Sequence, residues 1–313
     1  MTTIPNEKVI VFGASGFLGS HVADALTAAG YQVRLFDRNP SPFQKSNQEM
    51  IIGDIMNLDQ VIEAAKGASV VYNFAAIADI DEAHDKPIPT ATINVLGNMH
   101  TLEAARIAGA RRFVFASTVY VYSESGSFYR ASKQAAERFT ETYHERYGLD
   151  YNILRYGSLY GRRADQRNGI YRMLHEAIQH HSITYKGSGE AMREYIHVED
   201  AARMSVQVLA PEFANRHLIL TGQEKLRIKD VMTMISEMMP WPIELHFNEE
   251  ANVVHHYKIT PYAFQPRIGR KLVLNEHVDL GQGLLDCLRE IHQDLHHGDD
   301  DGDALPATPD NRA

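Results

Sequence analysis

Residues 8–19 read KVIVFGASGFLG. A short apolar run, Lys8 to Phe12, passes straight into Gly13, the pattern of a strand buried in a parallel sheet. Beyond the glycines, Leu18, Val22, Ala25 and Ala29 share one helical face, and Gly30 stops the run. A second strand, Gln32 to Phe36, follows almost at once, so residues 8–37 form one βαβ unit. Gly13, Gly16 and Gly19 fall between strand and helix. Without Cβ atoms they permit a tight turn, close approach of backbone to a pyrophosphate and close helix-to-strand packing, while the helix N-terminus faces the negative charge. A glycine triplet can also be a purely structural turn; the strand-turn-helix context favours a dinucleotide.

Asp37 ends the second strand, 18 residues after Gly19, where a carboxylate can hydrogen-bond ribose hydroxyls and repel a 2′-phosphate. It favours NAD over NADP, whereas its neighbour Arg38 is either a phosphate partner or a solvated surface charge. Asp54, in IIGDI, can contact adenine or cap the helix that starts near Asn57. Asn73-Phe74-Ala75-Ala76 ends the fourth strand with small residues that leave room for a cofactor or simply pack.

The alternation continues. Strand-like runs at 50–52, 70–74, 113–116 and 151–154 alternate with helix-like stretches near 57–65, 92–108 and 130–147, which implies an α/β fold with a Rossmann-type doubly wound parallel sheet. The expected division is a sheet domain over 1–157, with 196–220 returning to it, and a smaller C-terminal α/β substrate lobe over 158–195 and 222–295. That lobe includes helices near 167–180 and around Leu284, Leu288 and Ile291. The acidic tail 296–313 is poor in apolar residues and is expected to be disordered. A formal charge of −9 argues against a nucleic-acid partner, and no run of 18 apolar residues suggests a membrane span. One cysteine, Cys287, leaves no disulfide framework and fits a reducing, cytoplasmic setting.

Tyr129 and Lys133, in YRASK, stand four apart and so on one helical face. A lysine ammonium there is expected to lower the phenol's pKa and let it act as a general base near neutrality. The same spacing arises by chance on many helices, and only the upstream cofactor signal lends it weight. Ser117 and Thr118 lie just past the fifth strand, at the carboxyl edge where doubly wound sheets bind ligands; a cap or turn is the alternative. His197 reads as a packed structural histidine. The pairs His180-His181, His255-His256 and His296-His297 lack companion ligands at metal spacing, so no metal is assigned.

GASGFLG, Asp37, GDI, NFAA, INVLGNMHTLEAA, ASTVYVY, YRASK, LRYGSLYG and REYIHVED, in that order, resemble the extended short-chain dehydrogenase/reductase family, in its NAD-dependent sugar-nucleotide epimerase/dehydratase branch. The resemblance spans roughly residues 7–295. It implies catalytic Thr118, Tyr129 and Lys133. It implies an NAD site drawn from Gly13, Gly16, Phe17, Leu18, Gly19, Asp37, Arg38, Asp54, Ile55, Phe74, Ala75, Ala76, Asn94, Ser117, Tyr129, Lys133 and Tyr156. Substrate ligands would be Thr118, Ser158, Arg193 and Arg267, with Arg162 and Arg163 as further candidates; Arg193 would pair with the diphosphate of a nucleotide sugar.

In dehydratase members the catalytic threonine is followed by an Asp-Glu pair; here those positions are Val119 and Tyr120. The resemblance therefore implies a nucleotide-sugar epimerase of the UDP-glucose 4-epimerase type, acting at C4 through a keto sugar with no net redox change. A reductase or dehydrogenase with exchangeable NAD(H) is the alternative, and a non-catalytic NAD-binding protein a third reading. Ten residues separate Thr118 from Tyr129, fewer than epimerases of this branch carry, which predicts a pocket open on that side. Val95, Met99 and Leu102 on one face and Leu96 and Ile107 on another predict that the helix over 94–108 is deeply buried or meets a second copy; the family's four-helix contact implies a homodimer.

Overall fold

The computed structural model describes residues 7–248 and 256–262, all within one compact unit. The strands are β1 (Lys8–Phe12), β2 (Gln32–Asp37), β3 (Glu49–Ile52), β4 (Val70–Asn73), β5 (Arg112–Thr118), β6 (Tyr151–Tyr156), β7 (Ser158–Tyr160), β8 (Ser182–Lys186), β9 (Met192–His197), β10 (Arg216–Leu220), β11 (Lys225–Arg227) and β12 (Glu244–Asn248). The helices are α1 (Phe17–Ala28), α2 (Leu58–Ala65), α3 (Ile80–Asp85), α4 (Pro87–Ala91), α5 (Gly97–Ile107), α6 (Ser127–Tyr147), α7 (Gly169–His180), α8 (Val198–Gln207) and α9 (Ile228–Met238).

Seven strands form one sheet in the order β10-β6-β5-β4-β1-β2-β3, and every pairing in it is parallel. The chain leaves β1 toward β2 and β3, then crosses back to β4, so the switch point lies between β1 and β4 at the carboxyl edge. Two-residue alternation sends side chains to two separate cores. Val9, Val11, Val33, Leu35, Tyr72 and Val114 meet α1 and α8 on one face. Ile10, Phe12, Phe36, Val71, Phe113 and Phe115 meet α2, α5 and α6 on the other. A sheet covered on both faces has apolar residues at every position, which explains the unbroken runs in the sequence.

β7, β9 and β11 form a second small sheet, and β8 pairs with β12. Around them α7 and α9 enclose a third core of Met173, Ala177, Ile183, Val231, Met232 and Ile235. The apolar stretch 92–108 is not one regular α-helix: α4 is followed by a π turn over Thr92–Leu96, and only then by α5. Leu102 is buried, whereas Leu96 and Ile107 are exposed. Cys287, Arg267, the helix expected around Leu284 and the tail 296–313 lie outside the described residues.

Candidate active site

A groove of about 1260 Å³ runs along the carboxyl edge of the sheet. One end is formed by the turn after β1. Gly13 has φ +77, and a Cβ there would stand 2.5 Å from Ala75 N, so only glycine lets the two turns meet. At Gly16 a Cβ would touch nothing but Gly13 O, at 3.3 Å, and would project into the groove. Gly16 also caps α1 without a side-chain hydrogen bond, and the first turn carries no acidic residue. Its amide groups and the positive end of the helix dipole are therefore available to an anion. Asp37 stands behind the glycine turn: its carboxylate accepts from Ser15 N at 3.1 Å and Asn39 N at 3.3 Å, which fixes it at the end of β2. Bare backbone, a helix N-terminus and an oriented carboxylate fit a dinucleotide with free ribose hydroxyls. Arg38 lines the groove from an exposed position.

At the middle of the groove stand Thr118, Tyr129 and Lys133. Thr118 ends β5 and is buried; its Oγ1 accepts from Tyr120 N at 3.2 Å. Thr118 also opposes the rise in the pKa of the Tyr129 phenol. α6 buries Ser132, Lys133, Ala136, Glu137 and Thr140 against the sheet, a stripe in which a lysine and a glutamate occupy positions that packing alone would give to apolar side chains. Lys133 Nζ donates to Ala116 O at 2.7 Å and lies 5.8 Å from the Tyr129 ring centroid. Burial drives both groups toward their neutral forms. The phenol rises to about 12, opposed by Thr118, and the lysine falls to about 8, opposed by Glu137. The expected lowering of the phenol by the lysine is thus not found in the protein alone: desolvation dominates, and the ammonium is directed to a carbonyl.

Several expected cofactor ligands have other commitments. Ser117 donates to Glu137 Oε1 at 2.5 Å, inside a buried network in which Arg155 binds the same carboxylate at 2.6 and 2.9 Å. Asn94 sits in the π turn, donates to Ile77 O and Ser132 Oγ at 3.0 Å each, and accepts from Ile77 N at 2.8 Å. It positions the loop after β4 against α6. Tyr156 lines the groove, yet its hydroxyl meets Ser205 Oγ at 2.6 Å. Asp37, Asp54, Ile55, Ala75 and Asn94 do not line the groove. Asp54 accepts from Met56 N, closing a local turn, and Ile55 is part of the core. Phe17, Leu18, Phe74 and Ala76 do line it.

Toward the other end, Arg193 is 7 % exposed and stacks over the Tyr257 ring at 4.3 Å. One of its nitrogens donates to Met192 O. No carboxylate among the described residues pairs with it, which sets aside the structural ion pair as its explanation and leaves a nearly buried cation beside an open groove. Ser158 Oγ lies 3.5 Å from the Tyr257 hydroxyl. Arg162 and Arg163 line a different hollow beside α1 and α8, where Arg163 pairs with Asp24 at 2.8 Å. His197 caps α8 through Glu199 N. Among the described residues no cluster of three His, Cys, Asp or Glu side chains could hold a metal, and no helix is long and apolar enough to cross a membrane.

Tyr120, His256 and Tyr257 are not legible as site residues in the sequence. The Tyr120 ring packs 4.5 Å from Tyr257 and 6.4 Å from Tyr129, and its hydroxyl meets His256 Nδ1 at 2.8 Å. Gly126, with φ +105, immediately precedes α6, and a Cβ there would stand 2.8 Å from the Tyr120 ring. The short connection between Thr118 and Tyr129 thus closes tightly over Tyr120.

The profile of the NAD dependent epimerase/dehydratase family matches residues 9–219. A putative UDP-glucose 4-epimerase of Methanocaldococcus jannaschii is 30% identical over 224 residues, covering 64% of this chain and 73% of that one. A UDP-glucose 4-epimerase of Mycolicibacterium smegmatis is 27% identical over 77% of this chain and 85% of its own. Among solved structures, UDP-glucuronic acid 4-epimerase of Bacillus cereus superposes with a TM-score of 0.75 at 25% identity, over 82% of this chain and 90% of the other. The matched span runs from β1 to β10 and so contains the glycine turn, Asp37 and the Thr118, Tyr129 and Lys133 cluster; the chain belongs to the NAD dependent epimerase/dehydratase family.

Proposed function

We propose that this protein is an NAD-dependent epimerase of nucleoside-diphosphate hexoses, UDP-hexoses foremost, inverting C4 without net oxidation. The observation that carries the reading is the composition of the wall around Tyr129. Thr118 and Lys133 accompany the phenol, while the two positions after Thr118 are Val119 and Tyr120, so no carboxylate stands there to drive loss of water. The activities of the relatives, UDP-glucose 4-epimerase and UDP-glucuronate 4-epimerase, support the same class.

Asp37 would hold the adenosine ribose, the amides at the start of α1 the pyrophosphate, and Lys133 the nicotinamide ribose through the two donors not used by Ala116 O. When bound in its oxidised form, NAD would supply a hydride acceptor and a positive charge. Thr118 orients the sugar hydroxyl, and Tyr129 Oη removes its proton as the carbon-bound hydrogen leaves as hydride. Because burial holds the phenol near 12 in the protein alone, its use as a base depends on positive charge brought beside it. Arg193 grips the diphosphate through its unpaired guanidinium, so the sugar can turn between it and Tyr129. The protonated Tyr129 then returns its proton to the oxygen once the sugar presents its opposite face.

Purified protein incubated with UDP-hexoses and no added cofactor should form C4 epimers visible by NMR, and Tyr129→Phe should slow this by roughly 10²- to 10⁴-fold. Turnover only with stoichiometric added NAD or NADH would sink the epimerase reading in favour of a dehydrogenase. We also infer a cytoplasmic homodimer built on α5 and α6. Ile107 and Tyr147 are exposed on these helices and Leu96 on the π turn before α5, and a monomer at micromolar concentration in light scattering would refute it.

A further inference from the structure

The pocket predicted to be open beside the short Thr118–Tyr129 connection is covered from elsewhere in the chain. Residues 256–260 lie across that side, anchored by Met192 N donating to Lys258 O at 2.7 Å and Glu194 N to Thr260 Oγ1 at 3.3 Å. His256 thereby lines the groove beside Tyr120, and Asp81, from the start of α3, lines it opposite. His256 Nε2 stands 3.9 Å from Asp81 Oδ1. That separation is too long for a hydrogen bond and suited to one oxygen atom bonded to both.

The neighbours of the imidazole decide which nitrogen carries its proton. A carboxylate beside Nε2 favours the tautomer with hydrogen on that nitrogen, so Nδ1 accepts from the Tyr120 hydroxyl. Burial together with Arg193 and Arg172 opposes a charged imidazole, while Asp81 and Asp79 favour one; burial is the largest influence and the ring is held toward its neutral form. The groove therefore meets an N–H donor and a carboxylate acceptor side by side, complementary to an alcohol, which accepts one hydrogen bond and donates another.

We propose that His256 and Asp81 are specificity-determining residues that together hold one sugar hydroxyl, selecting hexoses that carry it over deoxy sugars. The proposal rests on the nucleotide-sugar reading of the groove and deepens it. Tyr120 is a positioning residue: its hydroxyl, 2.8 Å from Nδ1, fixes the angle of the imidazole. His256, from late in the chain, and Asp81, from α3, together take over the substrate wall that the shortened connection omits.

The test is calorimetric binding of UDP-glucose and its 2-, 3- and 6-deoxy analogues to NAD-loaded wild type, His256→Ala and Asp81→Asn. Asp81 is exposed enough that its variant will fold. Wild type should bind one of the analogues about 10- to 100-fold more weakly than UDP-glucose, as expected for a lost hydrogen bond with a charged partner. Both variants should lose about that factor on UDP-glucose and bind it and the same analogue within about threefold. Full discrimination retained in His256→Ala, or none in wild type, overturns the proposal while leaving the epimerase reading standing. Collapse of discrimination in both variants without any epimer formed by wild type supports it and overturns the epimerase reading alone. No binding of any UDP-hexose overturns both.

Discussion

Replacing Lys133 by methionine should abolish turnover and, in nucleotide-free protein, make the fold more stable. The ammonium is 4 % exposed, and burial lowers its pKa from 10.5 to about 8. A tenfold weaker hold on the proton is worth about 1.4 kcal/mol, so keeping the charged form inside costs about 3 kcal/mol near pH 7. Methionine forfeits the donor to Ala116 O, worth about 1–2 kcal/mol, leaving a net gain of about 1–2 kcal/mol. This gain depends on pH. Between the folded value near 8 and the unfolded 10.5, the unfolded chain binds the extra proton, so wild-type stability rises with pH across that window and the variant's does not. The gap between them should shrink from about pH 8 upward and reverse near pH 10. Tyr129, raised from 10.0 to about 12, contributes with the opposite sign from about pH 10 upward and is present in both proteins. Urea unfolding of both proteins at about pH 7, 8, 9 and 10 measures the gap. A variant less stable than wild type at neutral pH, or a gap that does not move with pH, would refute the reasoning that the lysine is held at a cost for function.

Gly13→Ala should lose NAD binding, followed by fluorescence of added NADH, and destabilise the fold by more than about 2 kcal/mol, because its methyl has no space beside Ala75 and φ is +77. Arg193→Ala should raise KM for a UDP-hexose by about 10- to 100-fold with kcat changed less than about threefold, since the guanidinium grips a part of the substrate that does not react; a selective fall in kcat would contradict this. Glu137→Ala should cost about 3–5 kcal/mol in calorimetric unfolding, because it strands the Arg155 guanidinium and the Ser117 hydroxyl in a buried site.

The cofactor half of the site is legible in the sequence because its determinants are local. The glycine spacing, the strand before it and Asp37 after β2 lie within about thirty residues, and the turn chemistry that links them is short-range. Tyr129 and Lys133 can be found for the same reason, being one helical turn apart. Side-chain directions and distant partners are another matter. Ser117 and Thr118 are adjacent on β5, so the pleat points them in opposite directions: Ser117 reaches Glu137, whereas Thr118 Oγ1 accepts from Tyr120 N. Choosing between them needs the sheet's register against α6. The family resemblance gives Asn94 to the cofactor, but its π turn directs the amide to the loop at Ile77. His256 reaches Tyr120 across 136 residues, and nothing in either local sequence announces the contact. The one hint is the short connection itself, which leaves a side of the groove for another segment to cover.

The contact between Gly13 and Ala75 has a consequence for how the two ligands interact. The segment after β4 is held throughout: Ala75 N donates to Asn73 Oδ1, Ile77 N to Asn94 Oδ1, and Glu82 N to Asp79 Oδ1, with Asp81 between. The turn that receives the dinucleotide and the loop that faces the sugar therefore share a backbone boundary with no slack. Whatever orders one narrows the freedom of the other, so each ligand should raise affinity for its companion, and by the same factor in both directions.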